Sequence, residues 1–375
     1  DRAVDPFWVS RQSLDAASGA LKPGCGWLPA DWMPTEALRR AFRGLARAED
    51  AVLADYGATR GSLALRRTLM ARFADEGLDA SPDQVLLTMS GTQAIDLICR
   101  FLLRPGDTVL VDDPCYFNFR ALLRAHQVKL VSVPYTPSGP DVASFEAVLE
   151  AERPRLYITV SGLHNPTGAT MSPQTAHRVL NAATACDLTI VEDDIFADFE
   201  PEPSARLAAL DGLNRVIRIG SFSKTLSASL RCGFIAARAD WIEQLVDLQV
   251  ATGFGGPCAV ATEIIASVLA TGFYRKHVEE LRRRLARARR DVGEKLQRIG
   301  IEPWLMPRGG FQLWCRLPDG CDSADVARAA LADNIVLAPG NVFSTTQSAS
   351  GFMRFNVAQC RDPKLMPALQ RALGR

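Results

Sequence analysis

The chain has 375 residues, 47% of them hydrophobic and 23% charged, with a formal net charge of +1. This is a soluble globular composition with ample core, and its balanced charge gives no overall field for nucleic acid, a membrane surface or acidic partners. No apolar run approaches a membrane span and the start shows no signal-peptide pattern. The nine cysteines are scattered singly, away from the four histidines, so a reduced cytoplasmic protein is expected, without a disulfide framework or a metal site.

In chain order, Pro6, Pro23, Pro29 and Pro34 around Gly24-Cys25-Gly26-Trp27 predict an irregular start. Thr35 is the expected N-cap of a helix with apolar spacing at Leu38, Phe42 and Leu45. A glycine-marked loop, Tyr56-Gly57-Ala58-Thr59-Arg60-Gly61, precedes an amphipathic helix over 62–76. From there, short apolar strands at 85–89, 108–111, 128–133, 156–160, 188–191 and 216–219 alternate with helical stretches near 92–103, 116–125, 144–151 and 173–186. Such alternation predicts an α/β fold with a mainly parallel sheet, and function at the carboxyl ends of its strands.

Residues 234–237 read as one more strand, after which the chain turns helical. The stretch 273–299 carries six arginines between Arg282 and Arg290. Glu279, Glu280, Asp291 and Glu294 are interleaved with them, and Leu281, Leu285, Val292 and Leu296 form an apolar stripe. A solvated helix face is therefore favoured over a nucleic-acid-binding one. Residues 311–375 read as a small α/β unit, with strands at 311–317, 335–338 and 352–357 and helices at 323–332 and 362–373. The expected organisation is an arm and small-domain segment over 1–50, a large domain over 51–272 and a small domain over 273–375.

Four strand-end loops and one lysine carry the chemistry. Ser221-Phe222-Ser223-Lys224 follows the apolar run ending at Ile219, with Arg231 beyond. A lysine amine there can form a Schiff base with an aldehyde while Ser221, Ser223 and Arg231 hold an adjacent anion, and pyridoxal phosphate offers both groups. Taken alone, the tetrapeptide reads more readily as a surface lysine. Ser90-Gly91-Thr92-Gln93 opens a helix and suits a phosphate, or simply caps that helix. Tyr116 could stack on a planar cofactor or belong to the core. Asn165, in His164-Asn165-Pro166-Thr167-Gly168, could bond a ring substituent or a substrate carboxylate. The run Glu192-Asp193-Asp194 fits a metal or a cationic partner. With no histidine nearby, a protonated pyridine nitrogen is preferred, a pairing that makes the ring an electron sink.

Taken in this order, NPTG, EDD, SFSK and Arg231-x-Gly233 resemble the class I/II aminotransferases, the fold-type-I pyridoxal-phosphate enzymes with an aspartate aminotransferase-like fold. Tyr56-Gly57-x-x-x-Gly61, Leu103-x-Pro105-Gly106-Asp107, Gly309-Gly310-Phe311 and Pro339-Gly340 extend the likeness over nearly the whole chain. The resemblance implies pyridoxal 5′-phosphate as cofactor and Lys224 as the catalytic Schiff-base lysine that shuttles a proton. It assigns Asp193 to the pyridine nitrogen, Asn165 to the ring hydroxyl, and Tyr116 to the ring face. Gly91, Thr92, Gln93, Ser221, Ser223 and Arg231 would surround the phosphate. Tyr56 would reach the phosphate of a neighbouring subunit, implying a homodimer, and Arg354 would bind the amino-acid carboxylate, with Asn165 beside it. Phe196 departs from the pattern, since the family usually has tyrosine there as a second donor to the ring hydroxyl.

Asp5-Pro6-Phe7-Trp8, the run from Leu21 to Pro29, and Ile195-Phe196-Ala197-Asp198-Phe199 are similar to the aminotransferase-like half of MocR-type regulators of the GntR family. Those regulators carry a winged helix-turn-helix ahead of this domain. None occurs in these residues, and the chain opens on Asp1 without methionine, as a fragment would. The expected function is a domain that forms aldimines with an amino-acid or amine effector, contacting DNA only through such a module and no membrane. The alternative is a free-standing aminotransferase or another pyridoxal-phosphate enzyme such as a lyase.

Overall fold

The computed structural model describes residues 4–374. Eight strands form the main sheet: β1 (Val85–Thr88), β2 (Thr108–Asp113), β3 (Lys129–Thr136), β4 (Gly139–Pro140), β5 (Leu156–Thr159), β6 (Thr189–Asp193), β7 (Val216–Ser221) and β8 (Gly233–Ala236). Their spatial order is β1-β8-β7-β6-β5-β2-β3-β4. The five strands from β7 to β3 run parallel, while β8 lies antiparallel to both β7 and β1. β1 therefore points the same way as the parallel five, and all their carboxyl ends open on one side. The α/β, mainly parallel architecture expected from the alternation is what forms.

The central strands are continuous apolar runs because helices cover both faces. β1 and β5 are buried at every residue. One core holds Leu86, Val109, Val111, Ile158, Val191 and Ile219, and a second, across the sheet, holds Val85, Leu87, Leu110, Tyr157, Ile190 and Val216. Each large side chain removed from water contributes about 1.5–3 kcal/mol. The expected helices form at Leu63–Asp75, Gly91–Leu102, Phe117–Ala125, Val142–Glu152 and Pro173–Ala185.

A smaller sheet has the order β11-β12-β10-β9, from β9 (Glu302–Pro303), β10 (Gln312–Arg316), β11 (Ala338–Pro339) and β12 (Phe352–Asn356). The strand expected over 335–338 shrinks to two residues. Residues 334–336 instead bond the N-terminal segment, with Leu21 N donating to Asn334 O at 3.1 Å, Val336 N to Leu21 O at 2.8 Å and Gly24 N to Val336 O at 3.0 Å. Gly24 is required there, because an added Cβ would lie 2.4 Å from Ala338 N. β4 and β9, two residues each, are too short to show a period in sequence.

Three other expectations are corrected. The irregular start contains a helix, Pro6–Asp15: Pro6 occupies its first turn, where a missing N–H costs nothing, and Asp5 Oδ1 accepts Trp8 N at 2.7 Å. Thr35 is the first helical residue and Pro34 holds the cap position, so the hydroxyl caps nothing. Along Gly272–Arg298 the predicted stripe of Leu281, Leu285, Val292 and Leu296 is buried, but the arginine face is not wholly solvated. Arg289 is buried, donating to Gly310 O at 2.7 Å, and the Arg284 guanidinium lies 4.0 Å from the Trp32 ring centre. Among the described residues no helix is long and apolar enough to cross a membrane.

Candidate active site

At the carboxyl ends of β1, β2, β5, β6 and β7 the strand-end loops enclose a cavity of about 250 Å³. Lys224, Asp193, Asn165, Tyr116, Gly91, Thr92, Ser223, Arg231 and Arg354 all line it. These residues span 264 positions of sequence from Gly91 to Arg354, and what unites them is the common direction of the strands that deliver them.

Arg354, on β12, is 1% exposed. Its Nη1 donates to Asn165 Oδ1 at 2.9 Å and its Nη2 to Gly24 O at 2.8 Å, while Nε has no partner. Among the described residues no carboxylate pairs with it, and burial pulls its pKa down to about 10. Lys224 Nζ donates to Gly26 O at 2.5 Å; burial, then the nearby Arg354 charge, lowers its pKa to about 8. Asp193 accepts Ile195 N at 3.1 Å, and desolvation raises its pKa to about 7 against that bond. An amine and a carboxyl both shifted toward neutrality by burial in one cleft make this the candidate functional site.

The three consecutive carboxylates have different fates because strand residues alternate faces. Asp193 faces the cavity. Glu192, on the opposite face, accepts Ser161 Oγ at 2.5 Å and the Leu207 and Ala208 amides at 2.8 Å each. Asp194 pairs with Arg206 at 2.8 Å and Arg218 at 2.5 Å. No cluster of metal-ligating side chains occurs among the described residues.

The profile of the aminotransferase class I and II family matches residues 28–371. The chain belongs to that family. It is 29% identical over 332 residues to the HTH-type transcriptional regulator YdcR of Escherichia coli, covering 87% of this chain and 70% of that protein. It is likewise 29% identical over 366 residues to the 2-aminoadipate transaminase of Thermus thermophilus, covering 93% and 88%. The structure of LysN, the alpha-aminoadipate aminotransferase of Thermus thermophilus, complexed with N-(5′-phosphopyridoxyl)-L-leucine, superposes with a TM-score of 0.88. It is 27% identical and covers 98% of this chain and 94% of that one.

The family and its phosphopyridoxyl-bearing structural neighbour indicate pyridoxal 5′-phosphate, and the residues present fit it. Gly91 and Thr92 open the helix Gly91–Leu102, whose free amides favour an anion. Ser90 caps that same helix through Gln93 N at 3.0 Å, as the capping reading expects. Arg231 lines the cavity beside it with no carboxylate partner among the described residues. Gly233 makes this approach possible, since a Cβ there would sit 2.9 Å from Ser90 C and 3.0 Å from Gly91 N. Tyr116 stands at the start of the helix Phe117–Ala125, packed on Phe117 and Phe119 with centroids 5.1 and 5.4 Å away.

Three named residues are not in the cavity wall. Gln93 turns its Oε1 back to Met89 N at 2.6 Å, and Ser221 stands behind Ser223 with the hydroxyl oxygens 2.7 Å apart. Tyr56 is 81% exposed, its ring tilted against that of Phe254 with centroids 4.9 Å apart. Phe196 lines the cavity with an apolar edge, packed against Phe311 at 5.7 Å and Phe199 at 6.3 Å.

Sequence reasoning missed the cover of the site. Val9, Ser10, Ser13 and Leu14 of the helix Pro6–Asp15 and the segment Gly24–Trp27 complete the wall. Asn356 pins that segment, donating to Cys25 O at 3.0 Å and Trp27 O at 2.8 Å. The sequence had marked Asp5–Trp8 and Leu21–Pro29 only as a family likeness, and Asn356 only as part of the run around the arginine.

Proposed function

We propose that the chain is the amino-acid-binding half of a GntR/MocR-type transcriptional regulator, a pyridoxal-phosphate domain that captures an amino acid as effector. The observation that carries the reading is Arg354. A buried guanidinium with an unpartnered Nε and no carboxylate is costly to fold, and an incoming α-carboxylate would compensate it. Regulators among the relatives support the first half of the proposal: YdcR, YisV of Bacillus subtilis and NorG of Staphylococcus aureus match over 70%, 71% and 74% of their lengths, leaving room outside the match for a helix-turn-helix.

When bound, the cofactor supplies an aldehyde for amines and an electron-accepting ring. In this reading Lys224 Nζ, eased toward neutrality, would hold the cofactor. Asp193 holds a proton on the ring nitrogen, Asn165 meets the ring hydroxyl, and Tyr116 covers the ring face. Arg231, Ser223, Gly91 and Thr92 hold the phosphate. Arg354 orients the carboxylate, and the helix Pro6–Asp15 keeps bulk water out. Exposed Leu53, Tyr56, Met89 and Phe254 form apolar surface that suits a second copy of the chain, with Tyr56 reaching the partner's phosphate.

A second reading, a free-standing aminotransferase, is supported by the transaminase relative matched over 88% of its length and by the pKa of about 8 at Lys224. Turnover separates the two. A sensor changes the cofactor absorbance with an amino acid but shows no sustained exchange with an α-keto acid acceptor, whereas many turnovers per site would establish the enzyme. In either case Lys224→Ala should abolish the covalently attached chromophore with the urea midpoint nearly unchanged, and a retained chromophore would refute the assignment of Lys224.

A further inference from the structure

Resting on that reading of the cavity, we infer that its amino-acid ligand carries an uncharged, largely apolar side chain, received against the N-terminal helix Pro6–Asp15. Among the described residues the charged groups lining the cavity are Lys224, Arg231, Arg354 and Asp193. Each is already placed. A Cβ built on Gly26 would lie 3.7 Å from Arg354 Nη2 and 3.8 Å from Lys224 Nζ, so both cations reach the same point. That spacing suits the carboxylate and amine of one amino acid. Arg231 is exposed at the cavity rim, on the segment that Gly233 brings against Ser90 and Gly91, and in the proposed reading it is taken by the phosphate. Asp193 is held at the end of β6 by the Ile195 amide.

Within one copy of the chain no cation remains for a side-chain carboxylate, and no carboxylate remains for a side-chain ammonium. Next to the Arg354 clamp the wall is apolar. The guanidinium lies 4.8 Å from the Phe343 ring centre and 5.8 Å from that of Phe117, and those rings share a buried cluster with Trp8 and Val9. Val9 is 1% exposed and lines the cavity, with Ser10, Ser13 and Leu14 of the same helix continuing the wall. The Ser10 hydroxyl is committed to its own helix, donating to Pro6 O at 3.0 Å. A charged side chain in this place would be desolvated without a partner, whereas an aliphatic or aromatic one would gain buried apolar area.

The test is an absorbance titration of the holoprotein with L-leucine, L-phenylalanine, L-glutamate, L-aspartate and L-lysine. L-Leucine or L-phenylalanine should bind at least about tenfold tighter than the three charged amino acids, the scale on which pockets discriminate side chains. A band that responds as well or better to a charged amino acid overturns the inference and leaves the amino-acid-binding reading standing. A band that none of the five perturbs overturns that reading, and this inference with it. Leu14 is 70% exposed and tolerates replacement without disturbing the core. Leu14→Arg should raise the affinity for L-glutamate relative to L-leucine by about two- to fivefold, the scale of an exposed ion pair. An unchanged ratio would remove the helix from the side-chain pocket.

Discussion

Two groups of charge sit at the carboxyl ends of the same strands and are built on opposite terms. In one, Glu76, Arg218, Asp194, Arg206 and Glu200 form a chain of ion pairs in which each charge has an opposite charge within 2.8 Å. In the other, Lys224, Arg354 and Arg231 face a single carboxylate, Asp193, and neither Arg354 nor Arg231 has an acidic partner among the described residues. Asp193 and Asp194 are adjacent in sequence yet belong to different groups. The paired group carries its own compensation and holds β6 and β7 to the helix Leu63–Asp75. In the unpaired group the buried Arg354 guanidinium is a folding liability that a bound anion would relieve, which is how a binding site would differ from a structural network.

The strongest way to break this contrast is to remove one arginine from each group. Arg206→Ala leaves buried Glu200 without an ion pair and Asp194 with Arg218 alone, and should cost about 3–5 kcal/mol in urea denaturation. Arg354→Leu breaks no ion pair, losing bonds to Asn165 and Gly24 O and the ring contacts with Phe343 and Phe117, so the cofactor-free protein should lose no more than about 1–2 kcal/mol. Equal losses would show that both groups serve stability alike.

The pH dependence sharpens the same contrast with a smaller effect. Asp193 has its folded pKa raised to about 7 from an ordinary 3.8. Between about pH 4 and 7 the folded state therefore keeps a proton that the unfolded state has released, and stability falls as pH rises through that window. Asp193→Asn should flatten the slope in cofactor-free protein, recovering on the order of 3 kcal/mol at neutral pH. A slope that survives the substitution would place its origin elsewhere.

The smallest change tests the departure at Phe196. Phe196→Tyr adds one hydroxyl at the cavity wall, and a bond to the ring hydroxyl should move the absorbance titration by about one pH unit and raise turnover. If both stay where they were, the missing donor has no bearing on the site's chemistry.

Much of this was legible because the signals are local. The apolar runs of β1, β2, β5, β6 and β7 and the residues that follow each of them can be read from a dozen neighbours at a time. Lys224, Asp193 and Asn165 fell at strand ends for that reason, and the cavity gathers them as the parallel arrangement requires. The start of the chain was misread because proline was taken as a breaker, whereas Pro6 behind the Asp5 cap begins a helix. The edge at 334–336 was misassigned because its partner, Leu21, lies more than 300 residues away in sequence.

The sequence by itself determined the succession of strands and helices, the candidate lysine and carboxylate, and the family, because each rests on short patterns whose physics is local. Tertiary structure alone decided which of three adjacent carboxylates meets the cavity, which arginines stay unpaired, and that the helix Pro6–Asp15 closes the site. Those outcomes depend on which groups end up desolvated together, and desolvation belongs to the packed whole rather than to any segment.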